Sequence, residues 1–594
     1  MRTLHEVVRR DPGRALLALA MLLVVVLYAP TAGHGLVNFD DPWLIRDNWL
    51  LQQPSGATLH AILFDLSRDT RAVLGAEYLP VRDLSIVVDV SLWGTWWAGY
   101  HLTNVAVYLA TLPLWFAALT RLGVDRRLVG LAVLLWAVHP THAESVAWLS
   151  ERKGVLAMMF AGAAALGHAR FRSGGRGWWL ALAAVAGVAA VWSKATSAFA
   201  LASLVGLELA LPTLRRSWSR SLVSLAAVGV AAGFAFAPVL LVASRMEVVG
   251  TVTSTEGWTE TVLGVLGFYV RLVAMAVPNA ISYPISHQGP STVDLALGGV
   301  AMLAVLACVA VPRRGWWQPS PTVRAAAVVW LFGWFPVSRI LLPVKAVLVA
   351  DRYMLLPTLG VALGVAAAVL ALPRARTRNA LAGVLVLAAS LRTLDARASW
   401  QDATQLWSRA VESNPHDSDA WSMLVEALEA EGQDDLAHRT LVQAKVVGPS
   451  PRLTLREALR VLPLDRALGV ELMRSAAVGG EPRAMANLAM LLLEDGVPTE
   501  ALTWARTAVA LSPLYASGHR IHGRAAIAGR LLDEAHAAFA RALALEPLNP
   551  ANQLNLALVL IELGRPAEAR PLLERCRADA RFAAQAAALL AKLP

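Results

Sequence analysis

The stretch GRLLDEAHAAFARALALEP, residues 529–547, decides the fold of the last third of the chain. Its alanines and leucines recur at helical spacing, a glycine opens the stretch and a proline closes it. The closing prolines recur at a fixed interval, because Pro415 and Pro449 are 34 residues apart and so are Pro513 and Pro547. This interval predicts a series of similar two-helix units.

A glycine marks a turn inside each of four units, at Gly432, Gly496, Gly529 and Gly564. A 34-residue period of helix–turn–helix units is typical of tetratricopeptide repeats, which stack into a superhelix. We predict units near residues 417–449, 482–513, 515–547 and 549–580, and we predict that residues 450–481 are helical but off-pattern. The pattern indicates a fold and says little about function, since such arrays bind many different partners.

The rest of the chain is too apolar for an ordinary cytosolic enzyme or a disordered protein. Of the 594 residues, 56% are hydrophobic and only 16% are charged, whereas a soluble globular chain is about 25% charged. The net charge is +10. Residues 395–594 contribute 21 basic and 24 acidic side chains, so the positive excess lies entirely in residues 1–394. Two cysteines provide neither a disulfide framework nor a thiolate metal site.

Apolar runs separated by short arginine-rich turns predict a polytopic membrane domain. Basic residues before the first run place the N-terminus in the cytoplasm, and we interpret this run as an uncleaved span. Residues 262–277 are predicted to be a re-entrant or interfacial segment, since this keeps the following arginines inside. We expect about 11 spans, at 15–28, 100–119, 128–138, 154–167, 178–191, 198–211, 222–242, 293–311, 325–335, 358–372 and 380–391. The C-terminal repeats then lie outside the cytoplasm.

These patterns give an all-α fold with two domains. Residues 1–394 form the membrane domain with its outer loops, and residues 395–594 form the extracytoplasmic repeat domain. Basic side chains follow the turns between spans and do not alternate with aromatic residues in a stripe, so we expect no nucleic-acid partner.

Polar clusters fall at the outer ends of the predicted spans, and the first contains Asp40 and Asp41. Adjacent carboxylates suit one general base and one orienting group, because a carboxylate at an apolar boundary tends to have a raised pKa. Taken alone, the pair favours a turn or a helix cap, since Asp-Asp-Pro is typical of turns.

The second cluster begins with His139, His142 and Glu144, which have the residue types of a metal site. Glu151 follows seven residues after Glu144, on the same face if the segment is helical.

Arg152 and Lys153 complete this cluster. Their cationic side chains suit a phosphate. The simpler interpretation is an interfacial helix with snorkelling basic residues, but so many ionisable groups beside a membrane favour a functional site.

The third and fourth clusters contain Lys194, and Lys345 with Asp351, Arg352 and Tyr353. Asp351 and Arg352 are equally compatible with a structural ion pair. Taken together, carboxylates and cations at one membrane face suit a lipid-linked phosphate donor: cations hold the departing phosphate and a carboxylate deprotonates an acceptor hydroxyl.

Five motifs together resemble the transmembrane and tetratricopeptide-repeat O-mannosyltransferases and their bacterial relatives, which are GT-C glycosyltransferases. The motifs are VNFDDPWLIRDNWLL at 37–51, LPVRDLSIVVDVSLWGTWWAGYHLTNVAVYLA at 79–110, HPTHAESVAWLSERKGVLA at 139–157, WSK at 192–194 and ADRYMLLP at 350–357. The chain departs from these relatives at Gly154, where an acidic residue is frequent, and at Ala195, where proline is common.

The resemblance implies transfer of one sugar, mannose or another hexose, from a polyprenyl-phosphate carrier to an exported protein or envelope acceptor. It implies that Asp40 or Asp41 supplies the base and that the basic motif members bind the donor phosphate. The residues assigned to the phosphate are Arg152, Lys153, Lys194 and Arg352. The supporting residues are His139, His142, Glu144, Glu151, Asp351 and Tyr353.

The same resemblance makes a separate metal site less expected, and we expect no metal and no cofactor beyond the lipid-linked donor. The expected location is a bacterial inner membrane. Two alternatives stay open: a ligase or polymerase that moves whole lipid-linked glycans, and a non-catalytic, membrane-anchored repeat scaffold.

Overall fold

A computed structural model describes residues 11–211, 217–246, 257–310, 319–340 and 348–593. Within these ranges the regular structure is helical, with no β-strand, which confirms the all-α prediction. Lys345 and the arginines at 215, 216, 313 and 314 lie outside the described residues. The chain forms two compact units, Met1–Asn414 and Pro415–Pro594. The predicted domain boundary after residue 394 lies within the helix Ala375–Ala398.

The first unit contains eighteen α-helices within the described residues. They are α1 (Pro12–Tyr28), α2 (Gly56–Phe64), α3 (Arg68–Val73), α4 (Pro80–Trp93), α5 (Trp97–Arg121), α6 (Arg126–Ala137), α7 (His142–Ala147), α8 (Arg152–Arg172), α9 (Trp178–Ser193), α10 (Ser197–Ala210), α11 (Trp218–Arg245), α12 (Trp258–Val273), α13 (Ile285–Gln288), α14 (Thr292–Ala310), α15 (Pro321–Trp334), α16 (Pro357–Ala371), α17 (Ala375–Ala398) and α18 (Ala403–Ser413).

Each apolar run proposed as a span coincides with one of these helices. Six described helical segments are long and apolar enough to cross a membrane: Pro12–Gly33, Trp97–Arg121, Leu149–Arg172, Trp218–Arg245, Thr292–Val309 and Ala375–Ala398. Four further apolar helices are shorter. The segment proposed to be re-entrant overlaps α12, and both its placement and the orientation of the spans stay predictions.

Close helix packing in this unit depends on small residues and on buried aromatic side chains. A Cβ atom at Gly267 of α12 would lie 1.8 Å from the Asp294 carbonyl oxygen, and one at Gly298 of α14 would lie 1.9 Å from the Leu263 carbonyl oxygen. Glycine at both positions therefore lets the two backbones touch, as in membrane helix pairs. The indole of Trp136 donates to the Leu355 carbonyl at 2.8 Å, which fixes α6 beside the start of α16.

The second unit consists of antiparallel helix pairs. Its helices are α19 (Ser418–Ala430), α20 (Asp434–Val447), α21 (Pro451–Val461), α22 (Arg466–Val478), α23 (Pro482–Glu494), α24 (Pro498–Leu511), α25 (Ala516–Ala528), α26 (Leu532–Leu545), α27 (Pro550–Glu562), α28 (Pro566–Cys576) and α29 (Ala583–Leu590). The off-pattern segment 450–481 is helical as predicted, and it forms the pair α21 and α22.

The predicted turn glycines lie between the two helices of a pair. Gly432, Gly496 and Gly564 have φ values of 72°, 73° and 73°, a region that favours glycine. In the remaining turn, at Gly529, the left-handed residue is the neighbouring Arg530, with φ of 59°. Alanines and leucines fill the contacts between helices, and together with Phe539 they form one core that extends from α21 to α29.

Candidate functional site

The segment that follows α1 carries the acidic pair, and the two carboxylates have different surroundings. Asp41 is buried. Its Oδ1 accepts hydrogen bonds from the backbone N–H of Ser150 at 3.0 Å and from the Ser150 hydroxyl at 2.6 Å, and its Oδ2 accepts from the Val37 N–H at 3.3 Å. Burial raises the pKa of the Asp41 carboxyl to about 6. Asp41 therefore joins the loop that follows α1 to the short segment that precedes α8.

Asp40 is half-buried and faces cations. Burial raises the pKa of its carboxyl, while the positive charges of Lys153 and Arg352 act in the opposite direction. Of the two adjacent carboxylates, Asp40 is the one that combines partial exposure with nearby positive charge.

Glu151 links two of the predicted phosphate ligands. Its Oε1 accepts a hydrogen bond from Lys194 Nζ, and its Oε2 lies 4.0 Å from Arg352 Nε. Glu151 is buried, whereas Lys194 and Arg352 are 15% and 12% exposed. The carboxylate therefore brings two cations from distant segments to one place.

Arg352 and Asp351 point to different partners. Glu144 accepts from the Arg352 backbone N–H at 2.8 Å and from the Arg352 guanidinium. Asp351 accepts from Asn279 Nδ2 at 2.7 Å and from the Tyr283 hydroxyl at 2.5 Å. Burial, and next the negative charge of Glu144, raise the pKa of the Asp351 carboxyl. In these contacts Asp351 and Arg352 bond other partners, and they do not form the ion pair with each other that the sequence analysis had considered.

A cavity of about 50 Å³ lies beside these cations. Lys194, Arg352 and Tyr353 line it, with Gly154 at its edge. The Lys194 ammonium lies 5.9 Å from the centre of the Tyr353 ring, and the Arg352 guanidinium lies 5.2 Å from it. Two cations that share a small cavity can bind an anion such as a phosphate.

Arg152 differs from its neighbours in the Glu-Arg-Lys motif. It is 1% exposed. Its Nη2 lies 2.5 Å from Asp89 Oδ2, its Nε donates to Asn104 Oδ1 at 2.6 Å, and its other contacts are the backbone carbonyls of Ser85 and Tyr100. All three guanidinium nitrogens thus bond protein acceptors in the interior. These contacts indicate that Arg152 supports the fold and argue against its predicted role as a phosphate ligand.

Lys153 points in a different direction from Arg152 and is 23% exposed. Its Nζ donates to Glu77 Oε2 at 2.8 Å, and the same oxygen lies 3.0 Å from Arg82 Nη1. Glu77 was not predicted from the sequence, because it lies just before the motif at 79–110 and outside all of the quoted motifs. The charge of Lys153, together with that of Arg82, lowers the pKa of the Glu77 carboxyl against the opposing effect of burial.

The two histidines are hydrogen-bonded to protein groups. His142 Nδ1 lies 2.7 Å from the Tyr108 hydroxyl and its Nε2 lies 2.8 Å from the Thr358 hydroxyl. His139 Nε2 lies 3.0 Å from the Val273 carbonyl oxygen. Among the residues that the structure describes, no group of three histidine, cysteine, aspartate or glutamate side chains could hold a metal ion. The two imidazoles are therefore placed to connect helices.

Comparison with known proteins gives information about the repeats. The tetratricopeptide repeat family matches residues 526–593. No curated protein matches this chain. Among solved structures, the chain is similar to pilF of Pseudomonas aeruginosa, with 20% identity over 27% of this chain and 77% of that chain and a TM-score of 0.25.

Two further solved structures give similar values. YrrB, described as a TPR protein with an unusual peptide-binding site, shares 17% identity over 31% of this chain and 98% of its own, with a TM-score of 0.25. PilW, described as a widely conserved type IV pilus biogenesis factor, shares 19% identity over 30% of this chain and 86% of its own, also with a TM-score of 0.25. The family match and the helix pairs of the second unit make this chain an all-helical protein with tetratricopeptide repeats, which are modules of protein–protein interaction.

Proposed function

We propose that this protein is a membrane glycosyltransferase of the GT-C class. It transfers a single sugar, mannose or another hexose, from a polyprenyl-phosphate carrier to an exported protein or envelope acceptor. The observation that carries the proposal is that the charges of Lys153 and Arg352 both act on the half-buried Asp40 carboxyl, while Arg352 and Lys194 line one small cavity. This combination of a carboxylate and nearby cations supports the proposal, because transfer from a phosphate leaving group requires a base and an anion site close together.

The chemistry assigns one role to each side of the site. Asp40 accepts the proton of the acceptor hydroxyl, whose oxygen forms a bond to the anomeric carbon of the sugar. The bond between that carbon and the phosphate oxygen breaks, and the electron pair leaves with the polyprenyl phosphate. Lys194 and Arg352 stabilise the negative charge that develops on this phosphate, and Lys153, whose charge also acts on Asp40, contributes to this stabilisation.

The buried acids of the motifs position these groups. Asp41 holds the first loop through Ser150, Glu151 holds Lys194, and Glu144 holds Arg352. We therefore assign the base to Asp40, which the sequence alone could not distinguish from Asp41. Tyr353 forms the wall of the anion site, and Asp351 anchors the loop that carries Arg352 through Asn279 and Tyr283.

The test is transfer of radiolabelled mannose from polyprenyl-phosphate mannose by the purified full-length protein, in detergent with EDTA, to a mixture of envelope proteins and lipids. We expect incorporation by the wild type and at least a hundredfold loss in Asp40→Asn. Asp47→Asn is the matched control, because Asp47 lies in the same loop but pairs with Arg46 on the surface. Full activity of Asp40→Asn would remove the assigned base.

A panel of other carrier-linked hexoses follows if mannose is not transferred. Transfer that depends on a lipid diphosphate and is lost with EDTA would instead favour the ligase or polymerase alternative.

A non-catalytic repeat scaffold is a second candidate function, and the repeat-family match at residues 526–593 favours it. Such a scaffold requires the repeats and a membrane anchor only. Residues 395–594 on an unrelated single-span anchor would then restore the phenotype of a deletion strain. Under the glycosyltransferase proposal this fusion fails, and the full chain carrying Asp40→Asn also fails.

A further inference from the structure

Glu77 is shared between two cations of very different exposure. Its Oε2 accepts from Lys153 Nζ at 2.8 Å and from Arg82 Nη1 at 3.0 Å. The charge of Glu77 also acts on Asp40, so this carboxylate lies at the edge of the candidate site.

Arg82 is fixed in the protein interior. It is 1% exposed, its Nε donates to Asp83 Oδ1 at 2.8 Å and its Nη2 donates to the Leu74 carbonyl at 2.6 Å. Lys153 and Glu77 are more accessible, at 23% and 39%. If Lys153 turns to another anion, Glu77 keeps a cationic partner. The pair between Glu77 and Lys153 can therefore open without leaving an uncompensated carboxylate.

We propose that Glu77 is a positioning residue that holds the Lys153 ammonium in the empty site and releases it to the phosphate of the lipid-linked donor. This inference rests on the proposed function. The Glu77 carboxylate and the donor phosphate compete for the same ammonium group. The product is a phosphate monoester, which carries about −1.5 to −2 charges at neutral pH, more than the phosphodiester of the sugar donor. It therefore attracts Lys153 more strongly than the donor does, and competition from Glu77 for this ammonium assists product release.

Competition between Glu77 and the phosphate predicts a change in ligand affinity that a purely structural role of Glu77 would not produce. Removal of the Glu77 charge leaves Lys153 free for the ligand, so binding of a prenyl monophosphate becomes tighter. The KM for the donor then falls, and kcat also falls because the carrier phosphate leaves more slowly. A residue that only stabilised the fold would weaken binding or leave it unchanged.

The test is isothermal titration calorimetry of the purified full-length protein in detergent with citronellyl phosphate, a short prenyl monophosphate. We expect Glu77→Gln to bind about fivefold more tightly than the wild type, as the loss of one accessible ion pair predicts. Glu77→Asp keeps the charge and binds like the wild type. Glu260→Gln removes a charge from the exposed first turn of α12 and leaves binding unchanged.

Equal or weaker binding by a folded Glu77→Gln variant, with clear binding by the wild type, overturns the role of Glu77 alone. No binding by either protein overturns the donor site and, with it, this inference. If Glu77→Gln does not fold, the same titration of Lys153→Gln decides: weaker binding supports Lys153 as the shared cation, and unchanged binding overturns the competition.

Discussion

Glu144 accepts hydrogen bonds from both the backbone N–H and the guanidinium of Arg352, across 208 positions of sequence. Glu144 is 2% exposed and Arg352 is 12% exposed. The charge of Glu144 raises the pKa of Arg352 against the opposing effect of burial. This single carboxylate therefore fixes the position of a cation that the proposed reaction uses.

Replacing Glu144 with glutamine should destabilise the protein and reduce transfer together. The amide keeps the shape but leaves the Arg352 charge with a neutral partner, and breaking a buried pair in this way costs about 3 kcal/mol or more. Thermal unfolding in detergent measures the first effect and sugar transfer the second. Glu412→Gln, an exposed change in α18, is the control. An unchanged Tm in Glu144→Gln would mean that the contact does not stabilise the fold.

Asp41 should make stability fall as the pH rises from about 4 to about 6. Its folded pKa of about 6 lies above the ordinary value of 3.8, so the folded state binds the proton more tightly than the unfolded state does. Below pH 4 Asp41 is protonated in both states, and its contribution to the free energy of unfolding is fully present. This contribution is lost as the pH rises through the folded pKa. A shift of about two units corresponds to about 3 kcal/mol.

Asp41→Asn provides the matched comparison for this pH effect. The amide does not titrate, so the difference in stability between the variant and the wild type should change across pH 4 to 6 and level off above pH 7. Denaturant unfolding at each pH measures this difference. A difference that stays constant with pH would show that Asp41 titrates at its ordinary value.

The helices and the repeat units were predictable because each depends on local sequence. Apolar runs predicted eleven of the eighteen described helices of the first unit, and the interval between Pro513 and Pro547 predicted the repeat that ends with α26. The sequence predicted a turn at Gly529, but it did not predict that the left-handed conformation is taken by the adjacent residue, Arg530.

The candidate site was predictable as a set of residues but not as a set of contacts. The sequence grouped Arg152 with Lys153 because they are neighbours, yet consecutive residues at the start of a helix point in different directions. One faces Asp89 in the interior and the other faces Glu77. The partners Glu77, Asn279 and Tyr283 come from segments without a recognisable motif, and only the tertiary fold brings them to the site.

Arg152 and Lys153 should therefore give opposite results when each is replaced. Arg152→Lys cannot satisfy the acceptors of a guanidinium at Asp89, Asn104 and Tyr100, so we expect a lower Tm with an unchanged Kd for citronellyl phosphate in the folded fraction. Lys153→Gln should retain its Tm and bind the phosphate more weakly. Calorimetry and thermal unfolding of both variants give the comparison. A weaker Kd for Arg152→Lys at an unchanged Tm would restore Arg152 as a phosphate ligand.

The repeat unit offers a way to separate acceptor selection from catalysis. A Cβ atom at Gly523 of α25 would lie 2.7 Å from the ring of Phe539, which is fully buried in α26. Gly523→Val therefore overpacks this helix pair, at a cost of about 1–3 kcal/mol. Ala528→Val, an exposed change at the end of the same helix, is the control.

Under the proposed function, Gly523→Val should reduce transfer to protein acceptors and leave transfer to a short hydroxyl-containing peptide unchanged, because the base and the cations belong to the first unit. Limited proteolysis of the full chain should show faster cleavage within residues 516–545 in this variant than in Ala528→Val. Equal loss toward both acceptors would mean that the repeats are required for the chemistry itself. Equal retention toward both would mean that the acceptor is recognised elsewhere.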